Sequence, residues 1–177
     1  MQLKSLDGCL LKIGSYPPFT YNAHGGGGKA TLLPSPSNSS ILCFRFSSTT
    51  FSIPALTSRT TKFLSLPLPP GLKIDMSLDN LEGRIDMNSG EVLLEFESKF
   101  IFSIGPIIKF PALLVQTTLT TGKVCGKSHE GTGLDLQKNG QAKLVGISTI
   151  PRTGNKVLDT FLGLPNEALA ELQCEIK

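Results

Sequence analysis

"EVLLEFESKFIFSI", residues 91–104, decides the fold. Val92, Leu94, Phe96, Ser98, Phe100, Phe102 and Ile104 share one face, and the other begins Glu91, Leu93, Glu95, Glu97, Lys99. Alternation sustained this long is the period of a β-strand with one apolar and one wet side. At ~3.4 Å per residue the strand is long, so a bend is expected, near Ser98. A long curved strand with one apolar face suits a barrel or a strongly curled sheet.

The same period extends outward in both directions. Upstream, Leu72, Ile74, Met76 and Leu78 share a face, as do Leu81, Gly83, Ile85 and Met87. The phase slips by one residue between the two sets, which predicts a bulge or turn at Asp79-Asn80. "NSG" at 88–90 reads as a short hairpin loop. Downstream, Leu113, Val115, Thr117 and Leu119 align, and Asn139-Gly140 predicts a tight type I′ turn into "QAKLVGISTI". That last strand is apolar on both faces and is expected to be central. One helix is predicted, capped by Asn155, with a stripe of Val157, Leu158, Phe161 and Leu162 and a stop at Gly163 and Pro165. Ala168, Ala170, Leu172, Cys174 and Ile176 then return to alternation.

Between these strands lies the most apolar run, "FIFSIGPIIKFPALLV", 100–115. It contains Gly105, Pro106, Lys109 and Pro111 and is shorter than the ~20 residues of a spanning helix. It reads as two buried strands joined by a Gly-Pro turn. The sharper alternative is a hairpin that dips into a membrane.

The first part of the chain differs in composition. Up to Ile74 there are seven bases and one acid, Asp7, whereas from Asp75 onward there are ten bases and thirteen acids. The bases are thinly spread among Ser, Thr, Pro and Gly. Such a segment reads as an organelle transit peptide, chloroplast rather than mitochondrial because only Arg45 and Arg59 are present and no basic helix is possible. The expected layout is a cleaved, disordered presequence at 1–60, a Pro-rich linker at 61–71 and an antiparallel β domain at 72–177. The alternative for the leader is a cytosolic tail, or an extra strand at "SILCFRF", 40–46. The acidic remainder lacks the basic footprint of a nucleic-acid binder.

Few motifs carry chemistry. "HGGGGKA", 24–30, has Ala30 where a phosphate loop needs Ser or Thr. Asn38-Ser39-Ser40 matches a glycosylation sequon, which has no role in a plastid leader. Cys125 and Cys174 lack the paired spacing of a zinc site, so no metal or cofactor is expected. Cys125 and His129 are the weak candidates for a catalytic pair, with Asp135 to orient the ring. Arg152 and Lys156, around Thr153-Gly154 and before the helix, form a candidate anion site for a lipid headgroup.

These readings converge on a mostly β protein: a single antiparallel β-barrel-like or strongly curled sheet of about seven strands with one short helix. The expected function is non-enzymatic. The domain binds an apolar ligand, a lipid or pigment, or a thylakoid membrane component, through Phe96, Phe100 and Phe102. A structural or assembly factor docking to a chloroplast protein complex is the second expectation. An enzyme using Cys125 and His129 is the third.

Overall fold

In the computed structural model, which describes residues 1–35 and 40–177, the deciding stretch is one strand of 13 residues, Val92–Ile104. Seven strands precede its hairpin: β1 (Gln2–Ser5), β2 (Cys9–Ile13), β3 (Phe19–Tyr21), β4 (Gly27–Leu33), β5 (Ile41–Phe46), β6 (Thr61–Phe63) and β7 (Leu66–Pro67). The hairpin itself is β8 (Leu72–Asp86) and β9 (Val92–Ile104). Then come β10 (Ile108–Lys109), β11 (Leu113–Thr120), β12 (Lys123–Cys125), β13 (Glu130–Thr132), β14 (Gln141–Ile150), α1 (Lys156–Leu162) and β15 (Asn166–Ile176). The expected count of about seven is therefore too low. Eight strands lie after Leu72 and seven more come from the first 67 residues.

The phase slip upstream is a β-bulge. The β8–β9 register shifts between Leu78 and Asn80, opposite Ser98 and Glu97. The extra residue keeps both apolar sets of β8 on the inner face, so Ile74, Leu78, Leu81 and Ile85 are all buried.

All pairing is antiparallel. β1, β4, β5, β8, β9, β11, β14 and β15 follow one another, and β1 pairs with β15 to close a ring of eight strands. A branch leaves the ring at β15. Its edge carries β1 at one end, where Ser5 opposes Cys174, and β2 further along, where Leu10 opposes Glu171. β3, β6 and β7 continue from β2, and a bridge from Leu56 to Ile74 ties the chain back to β8. β12 and β13 form a separate hairpin.

The residues expected to form a disordered leader, 1–60, and a linker, 61–71, carry β1 to β7 in this arrangement. β1, β4 and β5 are three of the eight ring strands, and 61–67 is a small hairpin. "SILCFRF" is the extra strand, with Phe44 and Phe46 buried. The Gly run, read as a breaker, is a close-approach site. A Cβ on Gly27, whose φ is +116°, would lie 2.0 Å from the Leu3 carbonyl oxygen across the β1–β4 pair. Asn38 and Ser39 of the sequon lie outside the described residues.

Two turns also differ from expectation. Gly140 has φ +87° but Asn139 is not left-handed, and the Gly140 N–H donates to the Gln137 carbonyl at 2.8 Å. This is a three-residue loop with Gly in the left-handed position, not type I′. The run 100–115 is not two buried strands. β10 is only two residues long, and Ile107 at the turn is 88% exposed.

α1 is capped as expected: Asn155 Oδ1 accepts from the Leu158 N–H, and Gly163 is left-handed. Leu158 and Leu162 are buried, but Val157 and Phe161 face outward. Among the described residues no helix is long and apolar enough to cross a membrane.

The registers define two ends. Leu72 opposes Ile104, Ile104 opposes Ile108, Leu113 opposes Phe100, Ile150 opposes Asn166, Ala168 opposes Ile13, and Phe19 opposes Phe63. The turns 14–18, 64–65 and 105–107 and the segment 151–163 therefore gather at one end. The β8–β9 turn, the chain's last residues and the start of β14 lie at the other.

Candidate apolar binding site

The core is not continuous from end to end. At the β8–β9-turn end, Leu3, Phe44, Phe46, Ile85, Val92, Leu94, Leu144 and Ile176 form a filled cluster. Towards the opposite end the core splits into two smaller clusters. One holds Cys9, Tyr21, Leu56, Leu68 and Ile74, and the other Leu113, Ile150, Leu158, Leu162 and Leu164. Phe100 and Phe102 pack against both.

Between them lies a cavity of about 240 Å³. β9 contributes Phe96, Phe100 and Phe102, so the three phenylalanines singled out in the sequence share its wall. Leu72, Ile74 and Met76 of β8 and Leu113, Val115, Thr117 and Leu119 of β11 extend it. Leu94 and Leu3 lie at its floor, against the filled cluster. Phe161 of α1 lines it and is 58% exposed, which marks the mouth. Tyr16 sits beside Phe161, with ring centroids 6.0 Å apart and its hydroxyl donating to the Phe161 carbonyl at 2.5 Å.

Polar groups in the lining are largely occupied by the protein. Thr117 Oγ1 donates to the Ile147 carbonyl at 2.8 Å, and Ser148 Oγ donates to the Gln116 carbonyl at 2.7 Å. Glu171 is paired with Lys143. Such a wall holds a guest by apolar burial and shape, with Lys12 the one cation among the described residues of its lining.

Much of the lining comes from residues the sequence reading assigned to the leader. Leu11, Ile13, Phe19, Tyr21, Phe51, Ile53 and Leu56 all face the cavity. The signal that would have found the first four is short: "CLLKI" and "FTY" are strand-like runs within a Ser- and Thr-rich average, whereas Phe51, Ile53 and Leu56 lie outside the named strands.

The candidate catalytic pair is not assembled. Cys125 is exposed in β12 and opposes Glu130, while His129 is buried. Among the described residues no hydrogen bond joins Cys125, His129 and Asp135; Cys125 Sγ contacts only the Gly126 carbonyl, and His129 Nε2 has no partner. What fixes this hairpin is Glu167, whose carboxylate accepts from the N–H groups of Lys127, Ser128 and His129 at 2.7, 2.9 and 2.7 Å. Burial opposes ionisation of Glu167, but the three donors outweigh it and hold the carboxyl below its ordinary 4.5. All four cysteines are free thiols. Burial pushes Cys174 up to about 12, which leaves it unreactive.

Arg152 and Lys156 are exposed beside the start of α1 and do not line the cavity. The backbone donors of Thr153 and Gly154, just before the helix, are taken. Asp159 accepts from the Thr153 N–H and hydroxyl and from the Gly154 N–H at 2.8, 2.6 and 3.2 Å. The Thr153 hydroxyl, followed by these backbone donors and Arg152, holds the Asp159 carboxyl below its usual range despite partial desolvation. Among the described residues no three His, Cys, Asp or Glu side chains converge as metal ligands. No family model, curated protein or solved structure matches the chain.

Proposed function

We propose that this protein is a non-enzymatic binder of an apolar ligand, carried inside the ring of strands. The observation that supports this reading is the cavity itself, with its wall of Phe96, Phe100 and Phe102 and its mouth at Phe161. Its size limits the guest. About 240 Å³ lies just under the ~300–1,000 Å³ of drug-sized sites. It exceeds the ~150 Å³ that suffices for benzene in an engineered dry cavity. One acyl chain end or one ring of a pigment or isoprenoid fits this range, and a whole diacyl lipid does not.

The test is a titration with N-phenyl-1-naphthylamine, a neutral probe whose fluorescence rises in apolar surroundings. Saturable one-site uptake, displaced by a fatty acid or an isoprenoid alcohol and blocked by Val115→Phe, is the expected result. Uptake that never saturates, or that Val115→Phe leaves unchanged, rejects the reading.

From the acid-poor, Ser- and Thr-rich composition up to Ile74 alone, and without removal of the ring strands it contains, we place this binder in the plastid, with the mitochondrion as the alternative. The full chain fused through its C-terminus to a fluorescent protein tests this, and a cytosolic signal rejects both addresses. An assembly factor that docks to a protein complex is the second functional reading. It takes its support from the exposed apolar side chains around the mouth.

A further inference from the structure

Leu64, Leu66, Ile107, Ile108, Val157 and Phe161 are all exposed, and all stand at the open end of the ring. They occupy three separate projections: the β6–β7 turn, the β9–β10 turn and the outer side of α1. Of the large apolar side chains exposed among the described residues, only Leu32, Met87 and Leu134 lie towards the closed end. Scattered exposed apolar residues need no explanation, but concentration around the mouth of an apolar cavity does.

Charge is sorted in the same direction. The segments that build the open end, 12–19, 62–73, 101–113 and 150–164, hold Lys12, Lys62, Lys73, Lys109, Arg152 and Lys156 against Asp159 alone. The closed-end segments 29–35, 40–41, 82–92, 120–124, 133–141 and 175–177 hold five bases and five acids, while the tip of the β12–β13 hairpin, with Lys127, is held at Glu167 near the open end. Asp159 is turned inward, onto Thr153 and Gly154, and the acids bordering this end are also occupied, Asp75 by Lys73 and Glu167 by the β12–β13 backbone. Lys62, Lys109 and Lys156 form no ion pair among the described residues, so their charge is available to a partner.

We infer that the open end docks on the surface of an anionic lipid bilayer, with the β9–β10 turn and the outer side of α1 entering its apolar layer. Apolar tips ringed by lysines match a surface that is anionic at the headgroups and apolar beneath. Three tips around an opening offer a protein partner no single flat face, whereas a bilayer receives each tip separately. The docked orientation brings the cavity mouth against the acyl chains. An apolar guest then passes between membrane and cavity without crossing water. That route rests on the ligand-binding reading; the docking itself does not.

The chain contains no tryptophan, so one introduced at the tip is a unique reporter. In Ile107→Trp, emission is expected to shift to the blue with phosphatidylcholine vesicles containing phosphatidylglycerol, and to be quenched when their acyl chains are brominated. Leu134→Trp, at the closed end, is expected to show neither effect. Ile107→Asp should abolish co-sedimentation with these vesicles and leave the thermal melt unchanged, because the side chain is exposed. Lys109→Gln and Lys156→Gln should each weaken co-sedimentation by roughly fivefold, the worth of one base near an anionic surface.

Absence of any vesicle response in Ile107→Trp overturns the proposal. So does a concentration-dependent self-association that Ile107→Asp abolishes, which would make this end an interface between copies. So does vesicle-independent binding of the parent to a protein complex that Ile107→Asp abolishes. Vesicle binding without probe uptake by the parent would sink the ligand reading alone. Probe uptake without vesicle binding would sink this one alone.

Discussion

Leu3 lies directly opposite Ile176, joining the first strand of the chain to the last. Lys177 reinforces the closure, with its N–H donating to the Gln2 carbonyl at 2.9 Å. Leu3 is buried in the filled cluster beside Ile176. An open eight-strand sheet leaves unpaired backbone groups along its first and last strands; this pairing joins those two strands, and the free edge moves to β7 of the branch.

Loss of the N-terminal segment should therefore destroy the fold rather than trim it. A chain beginning at Leu66 lacks β1, β4 and β5, exposes one edge of β8 and of β15, and loses the side chains of Leu3, Phe44 and Phe46 from the core. It is expected to show no cooperative thermal unfolding by circular dichroism. Within the full chain, Leu3→Ala should cost ~2–5 kcal/mol, as large-to-small changes at buried positions do. The native protein isolated from its compartment should also retain these residues by intact mass. A mature form that starts near residue 60 and melts cooperatively would show that the ring is not needed.

The loop at Gly140 gives a local test. Its φ is +87°, and a Cβ there would stand 3.0 Å from the Ile176 carbonyl oxygen. Gly140→Val should cost ~1–2 kcal/mol from the left-handed backbone alone, read as a shift in the urea midpoint. Asn139→Ala should cost less, since Asn139 is not left-handed and contributes its side chain to Gln141. Equal losses in the two variants would contradict the loop geometry.

What the sequence disclosed and what it hid follow from strand length. β9 and β8 are 13 and 15 residues long, and over such spans the two-residue period stands out from any background. The bulge at Asp79 was visible as a slipped phase, and the three phenylalanines on the cavity wall as one face. β1, β3 and β6 have only three or four residues and make sense only beside their neighbours. Averaged over the first 60 residues, Ser, Thr, Pro and Gly outweighed them. The exposed tip at Ile107 and the outward face of α1 broke the rule that apolar residues mark the core. The occupation of the α1 start by Asp159 depends on loop geometry that no spacing encodes.

Glu167 ties the β12–β13 hairpin to β15, and its effect depends on charge. Its folded pKa lies below the ordinary 4.5. Its contribution is therefore present above the unfolded value and is lost as pH falls through the lower folded value. Hydrogen exchange at Lys127, Ser128 and His129 should be slow at neutral pH and accelerate, relative to the intrinsic rate, once the carboxylate protonates. Glu167→Gln should show the faster exchange at neutral pH already, with little further relative change on acidification. Unchanged protection in Glu167→Gln would mean that the carboxylate does not hold the hairpin.

Phe44 and Phe100 separate a filled core from a cavity wall within one molecule. Phe44 is 1% exposed in the closed cluster, and its ring meets Phe46 edge-on. Phe44→Ala should cost ~3–5 kcal/mol, because the lost transfer energy and the new void add. Phe100 faces space that is already empty, so fewer contacts vanish with its ring. Phe100→Ala should cost clearly less, and Phe96→Ala and Phe102→Ala should resemble it. The same three variants should change the affinity for N-phenyl-1-naphthylamine, while Phe44→Ala should destabilise without altering uptake by the molecules that remain folded. Ligand at a hundred times its Kd should raise the stability of the parent by ~2.7 kcal/mol. Losses at Phe100 as large as at Phe44, with no ligand-dependent shift in the parent, would mean that the wall closes into ordinary core in solution. The ligand reading would then fall, and the exposed rim would be the functional surface.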